Sequence, residues 1–428
     1  MFKSMLALFG TVVAISAAVS TMSPASAQTT PAPSASPKPA PSGSPSPTPA
    51  PTASPTPYKL VQFNGFGDVG VTSIGGADKA RFTYGSPSRI FDGSNGPFFD
   101  SNGGRQLGAA NDFTQVPDLQ NANVNLLLNG PVISAKFEGS FGTDADVIAS
   151  NGQSHSGANL TQAYVQGVKG PVTILVGKIE TLAGAEYIEA PQNTNYSRSF
   201  LFGYAIPFTH TGARVTYAVN PKVSIVAGVN NGWDDWKFAG KKKTLEGALL
   251  LTPSPGFTLN IQTYNGNDFA VSGNSALNAL PVYTNRMLYD SELTIHATSA
   301  LTFIANYDNG TQLPDSGASF PTAAHWNGIA GYANYQFNSL YGISLRKETF
   351  HDPEGFRTGV IGGQRLQSNT ATVSYTPNSN LLFRGEIRLD TTDANDFAYR
   401  GYTPTLNAPF DGRNHQPSLG LEAVVKYP

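Results

Sequence analysis

The chain has 428 residues, with 27 Lys and Arg against 29 Asp and Glu, a formal net charge of −2. That balance offers no basic footprint for nucleic acid, and the complete lack of cysteine excludes thiol catalysis, thiolate metal sites and a disulfide framework. Charged residues are only 13% of the chain and Gly numbers 44, where soluble domains are about 25% charged; strands with one polar and one apolar face fit this composition better.

Residues 1–27 read as a secretory signal peptide. Lys3 supplies the positive end, an apolar run follows from Met5 to Val19, and Ala25-Ser26-Ala27 has the small-residue pattern of a cleavage site, placing a mature start near Gln28. The run is short for an uncleaved membrane anchor, the rival reading. Residues 28–57 are almost entirely Pro, Ala, Ser and Thr. Without apolar side chains they cannot build a core, so a disordered or polyproline II spacer is expected, either a passive linker or a tether contacting the cell wall.

From Tyr58 to Pro428 the pattern changes to stretches of about ten residues alternating apolar and polar, the period of a strand. Leu381, Phe383, Gly385, Ile387 and Leu389 share one face; Leu382, Arg384, Glu386, Arg388 and Asp390 share the other. A helix would mix these two sets. The same parity separates Ile133, Ala135, Phe137 and Phe141 from Ser134, Lys136, Glu138 and Ser140, and Ala213, Val215, Tyr217 and Val219 from Gly212, Arg214 and Thr216. It also separates Tyr341, Ile343 and Leu345 from Ser344, Arg346 and Glu348, although Lys347 strays onto the apolar face.

Tight turns rich in Gly, Pro, Asn and Ser join these stretches at Gly130-Pro131, Lys169 to Pro171, Asn220-Pro221, Thr252 to Gly256, Thr298-Ser299, Asn338-Ser339 and Pro377 to Asn380. Between the hairpins lie longer polar segments: 72–122, 142–158, 180–208, 231–242, 266–287, 309–324, 351–366 and 392–414. Short turns on one side and long loops on the other predict an all-β, antiparallel, up-and-down transmembrane barrel of about sixteen strands over 58–428, with both ends on the short-turn side. The last strand alternates Leu419, Leu421, Ala423, Val425 and Tyr427, which resembles the C-terminal assembly signal of outer-membrane proteins. Tyr217, Trp233, Trp236, Tyr264, Tyr307, Phe350 and Tyr427 lie near strand ends and suit interfacial girdles.

The segment 180–208 is unusually apolar for a loop: Phe200, Leu201, Phe202, Tyr204, Ile206 and Phe208 would be exposed unless it folds inward. It is expected to dip into the lumen, with a helical turn near 196–202 and with Glu186, Glu189 and Arg198 at the narrowest point. Two roles stay open for these three: charge selection in a narrow passage, or a latch in which Arg198 pairs with a Glu. Lys136, Glu138, Lys178, Arg214, Glu246, Arg346, Glu348, Arg384, Glu386, Arg388, Glu422 and Lys426 are expected on the lumen wall as mutually neutralising charges, with a basic ladder for an anionic solute as the alternative. Asp144 and Asp146 fit a solvated loop better than a Ca²⁺ site, no cofactor is expected, and no hydrolase or phosphate-loop motif is present.

Residues 171–236 carry a family resemblance. Gly177-Lys178 ends a strand; Glu189, Asn193, Asn195, Tyr196, Ser197, Arg198 and Ser199 follow in a loop; Pro207, Phe208, His210 and Gly212 start the next strand; Asn231, Gly232, Trp233 and Asp234 follow it. This resembles the OmpL-like β-barrel porins. The resemblance implies an outer-membrane barrel and a pore and gives no transported solute; the leading reading is a barrel among outer-membrane lipid that passes small hydrophilic solutes by passive diffusion, with a homo-oligomer left open. The rival readings are a structural or adhesive barrel tethered through residues 28–57, and a barrel hydrolase.

Overall fold

The computed structural model describes residues 60–74, 118–151, 153, 157–238, 242–270, 282–314, 322–358, 363–393 and 414–427; the signal and spacer segments expected over 1–57 lie outside them. Among the described residues, sixteen strands form one closed antiparallel barrel. They are β1 (Val61–Ile74), β2 (Asp118–Leu128), β3 (Ile133–Phe141), β4 (Ala158–Lys169), β5 (Val172–Glu180), β6 (Thr209–Asn220), β7 (Val223–Asn230), β8 (Thr244–Ser254), β9 (Phe257–Ala270), β10 (Val282–His296), β11 (Leu301–Gln312), β12 (Ala324–Gln336), β13 (Tyr341–Asp352), β14 (Gln364–Asn378), β15 (Leu381–Thr392) and β16 (His415–Tyr427). Each pairs with its chain neighbour, and β1 pairs with β16 from Gly65↔Tyr427 to Ile74↔Ser418. Closure leaves no strand edge facing hydrocarbon, where an unpaired backbone group would cost several kcal/mol.

The alternation read from β15 is the wall's two faces. Phe383, Ile387 and Leu389 are 40%, 63% and 41% exposed, while Arg384, Glu386, Arg388 and Asp390 between them are all at most 4% exposed. The seven tight turns fall where expected, and the start of β1 and the end of β16 lie on their side of the barrel.

The aromatic girdle is narrower than expected. Tyr217, Tyr307 and Tyr427 face outward, and Tyr341 stacks on Tyr375 with ring centroids 4.9 Å apart. Trp233, Tyr264 and Phe350 are instead buried in the interior. Tyr264 and Phe350 share the parity of Gln262 and Glu348, which is the lumen parity. Two long segments also hold more structure than polarity suggested. β9 and β10 stay paired out to Ala270↔Val282, inside the segment read as loop 266–287. Beyond the hydrocarbon the outward face need not be apolar, and the Asn285 Nδ2 amide donates to Asn265 Oδ1 there at 2.8 Å. The short helix α1 (Thr143–Val147) lies within loop 142–158, where Asp146 Oδ1 accepts the Gly157 N–H at 2.6 Å.

Candidate functional site

The segment between β5 and β6 crosses the barrel interior, touching inward residues from β9 round to β1. It leaves β5 with the Leu182 N–H donating to the Tyr264 hydroxyl at 3.1 Å and the Gly184 N–H to Asp290 Oδ2 at 3.2 Å. Arg346 of β13 then binds Glu186 at 2.7 Å, and Arg384 of β15 donates to the carbonyls of Ala190 (3.0 Å) and Asn193. The return limb passes β14, where Asn195 Nδ2 donates to Thr372 Oγ1 at 2.7 Å, and then β12, where Trp326 Nε1 donates to the Ala205 carbonyl at 3.1 Å.

A chain crossing an interior must satisfy its backbone groups without a sheet partner. The inward charges of β13 and β15 do this. Glu386 accepts the N–H groups of Tyr196 (2.8 Å) and Ser197 (3.1 Å), and Glu348 accepts that of Phe200 at 2.6 Å. In the other direction, Arg346 donates to the Ser197 carbonyl and Arg388 to the Arg198 carbonyl, both at 2.7 Å. Within the wall, Arg346 meets Glu348 at 3.3 Å, Arg388 meets Asp390 at 2.7 Å, and Arg384 meets Glu422 at 2.6 Å. Charges expected as mutually neutralising groups of the lumen wall thus form a cradle of alternating donors and acceptors under the loop.

The loop's polar residues fold it onto itself. Asn193 reads the backbone of Tyr187 in both directions at 2.9 Å. Arg198 is fully buried, and its guanidinium donates to the carbonyls of Tyr187 (2.9 Å), Ile188 (3.1 Å) and Tyr196 (3.3 Å). The ionic partner of Glu186 is Arg346, not Arg198, and Glu186 also accepts from the N–H and hydroxyl of Ser199 at 2.7 and 2.9 Å.

Tyr196 reaches the seam where the barrel closes. Its hydroxyl lies 3.0 Å from Thr72 Oγ1, and its ring fills a slot over Gly70 and Gly420, where an added Cβ would come within 2.8 and 2.4 Å of it. The apolar half of the loop packs on the opposite wall. Leu201–Ala205 forms one π-type turn, slightly later than the turn expected at 196–202, within a cluster that includes Leu288, Trp326 and Phe350.

The limb 181–192 leaves a cavity between itself and the wall from β3 to β9. Glu186, Tyr187 and Glu189 face it from the limb, and Glu180, Lys136 and Arg214 from the wall. Glu189 lies 3.8 Å from Lys136, which also meets Glu138 at 2.6 Å, and Arg214 meets Glu246 at 2.8 Å. Burial pushes the Glu189 carboxyl well above the usual carboxylate range, reinforced by Glu138 and Glu180.

Of the three residues expected at the narrowest point, Glu186 and Glu189 line the cavity and Arg198 is enclosed inside the loop. Arg346, Arg384 and Arg388 lie under the loop rather than along the cavity. Lys178 departs from the expectation of a lumen-wall charge. The register gives it the parity of Ile174 and Val176, the outward face, and its ammonium donates at 2.7 Å to both the Leu160 carbonyl and Gln153 Oε1. Covered by polar loop atoms, it needs no aqueous lumen. Glu180 and Tyr187 went unnoticed in sequence because neither belongs to a run of alternating charge.

The loop's return is pinned by Asp234, whose Oδ1 accepts the N–H groups of Phe208 (2.7 Å) and Thr209 (2.8 Å). Burial pushes this carboxyl up to about 7, with Asp268 adding to the rise and Lys178 opposing it. The folded group thus holds its proton more tightly than the unfolded one. Its contribution is present in full below the ordinary aspartate value near 4 and is lost as pH rises through about 7. Protection factors over 207–236, each taken relative to the intrinsic exchange rate at its pH, should therefore be lower at pH 8 than at pH 5. Asp234→Asn, which keeps the acceptor and removes the charge, should flatten that difference; a wild-type profile that is already flat would refute the assignment.

The sequence profile of the family described as "Putative beta-barrel porin-2, OmpL-like" matches residues 92–427. The chain belongs to that family. This porin is similar in fold to the outer membrane channel DcaP of Acinetobacter baumannii (TM-score 0.55, 13% identity, 86% of this chain and 97% of that one). It is similar also to a loop L8 deletion mutant of OmpT, an outer membrane protein of Vibrio cholerae (0.54, 11%, 86% and 99%), and to an anion-selective porin from Comamonas acidovorans (0.52, 11%, 86% and 99%). No curated protein matches the chain. Family and fold together make it an outer-membrane channel protein.

Proposed function

We propose that this porin passes small hydrophilic solutes by passive diffusion, with its narrowest point between limb 181–192 and the wall of β3 to β9. The observation that carries this reading is the cavity beside the docked loop, lined by Glu186 and Glu189 from the loop and by Glu180, Lys136 and Arg214 from the wall. Fixed charges of both signs across a narrow wet passage orient water and discriminate solutes by charge. Arg198 acts as the loop's internal brace. The N-terminal signal delivers the chain for export, and the Pro-rich stretch 28–57 serves as a periplasmic spacer able to contact the cell wall. A trimer is the oligomer to look for first, since an OmpT structure is described in a trimer form.

Planar-bilayer recording tests the pore. A steady open conductance is expected; its absence would favour a plugged structural barrel. Because Glu189 is held protonated beyond the usual carboxylate range, cation preference should grow as pH rises through its titration and Glu189 becomes charged. Glu189→Gln should abolish this pH dependence of the reversal potential. A variant that keeps the wild-type profile would remove Glu189 from the constriction.

A further inference from the structure

On two neighbouring strands, β13 and β14, the outward apolar run ends earlier than on β15. On β15 the outward residues run Leu381, Phe383, Gly385, Ile387, Leu389 before the first polar one. On β13 the apolar run stops at Leu345 and continues Lys347, Thr349, His351; on β14 it stops at Ala371 and continues Asn369, Gln367, Arg365. The register sets Lys347 opposite Asn369 and His351 opposite Arg365, so the two polar runs make one patch at the long-loop end of the wall. Lys347 and Arg365 are exposed, and neither has an ion-pair partner among the described residues. No Asp or Glu stands on the outward face of β11 to β15. Two carboxylates lie at the rim, Glu354 and Asp393, and these accept the backbone N–H groups of His325 (2.8 Å) and Arg365 (2.7 Å).

A cation facing hydrocarbon is strongly unfavourable, so the Lys347 ammonium must run along the wall to the polar layer. Long loops mark the external side of such barrels, so that layer is the headgroup region of the outer leaflet. Lys347 and His351 are four residues apart in one strand, about 13 Å, with Arg365 directly across from His351. Two cationic positions at that spacing, one an Arg whose planar fork matches phosphate, match an anion with two separated charges better than a single one. We infer that this patch binds a lipid whose headgroup carries two phosphates.

The full-length protein, purified in detergent, is offered bisphosphorylated lipid A, monophosphorylated lipid A and phosphatidylcholine, and the retained lipid is read by native mass spectrometry. The bisphosphorylated lipid should be retained most and phosphatidylcholine least. Lys347→Ala and Arg365→Ala should each weaken its retention about five-fold, the worth of one cation near a charged lipid surface. Heat-modifiable migration on gels identifies variants that still form the barrel, and Lys347→Gln and Arg365→Gln replace any that do not. Equal retention of the three lipids, or a preference unchanged in the double variant, overturns the inference. A change of oligomeric mass without a change in lipid retention would assign the patch to a second copy of the chain and overturn it too.

Discussion

Arg346→Ala should release the interior loop from β13 and raise single-channel conductance. The side chain is 1% exposed and holds six groups at once: the carboxylates of Glu186 (2.7 Å) and Glu348 (3.3 Å), the carbonyls of Ser197 (2.7 Å) and Arg198 (3.3 Å), and the hydroxyls of Ser197 (3.1 Å) and Thr370 (3.3 Å). A buried ion pair adds little net stability when intact, but removing one member strands the other at a cost of about 3–5 kcal/mol. Here Glu186 loses its ionic partner and Glu348 keeps only Arg388, at 3.6 Å, and the cheapest relief is for limb 186–200 to swing out and let water reach them. The strands keep their hydrogen bonds, so the barrel stays folded while the passage widens and its current grows noisier. Arg346→Lys keeps the charge but not the planar fork and should fall between the two. Conductance unchanged in Arg346→Ala would mean that the loop stands without this anchor.

Trp326→Ala should have an effect of similar size on the other half of the loop. Trp326 is fully buried, lies edge-on to Trp233 and stacked on Phe356, both at 5.9 Å, and donates to the Ala205 carbonyl at 3.1 Å. Three loops thus rest on one indole: the π-type turn, the segment carrying Trp233, and the segment after β13. Truncating a buried Trp costs about 3–5 kcal/mol. Because the sixteen strands are hydrogen-bonded independently of it, the loss should appear as local opening. Limited proteolysis should cut within 200–208 while the barrel still migrates as a folded species. Trp326→Phe keeps most of the packing and gives up the hydrogen bond, about 1 kcal/mol, so it should resist the protease almost as wild type does. An Ala variant as resistant as wild type would refute the indole's role as a common support.

The barrel was readable because lipid imposes a period-two rule and tight turns have their own residues. Leu381 to Asp390 carries that rule without interruption, and Gly130-Pro131 and its counterparts mark where the wall folds back. The interior was readable only in part. The apolar run from Phe200 to Phe208 announced that its loop could not lie in water, but the partners of Glu348, Glu386 and Arg388 are backbone groups of a segment far away in sequence, and parity carries no record of them. The same limit explains Lys178. Parity gives the face of the sheet, but whether lipid, water or a folded loop covers that face depends on segments such as 148–151 and 231–238 whose meeting no local pattern predicts.

The seat of Tyr196 sets an order of events in the making of the molecule. Gly70 lies on the first strand and Gly420 on the last, so the slot exists only after the two ends of the chain have paired. Until then the ring has no place to go, and the loop cannot finish docking. Docking of the loop across the interior is therefore the final act of assembly, conditional on the seam being zipped. A chain halted before its last strand is added would leave the loop without this seat, so the geometry ties the ordering of the interior to completion of the wall.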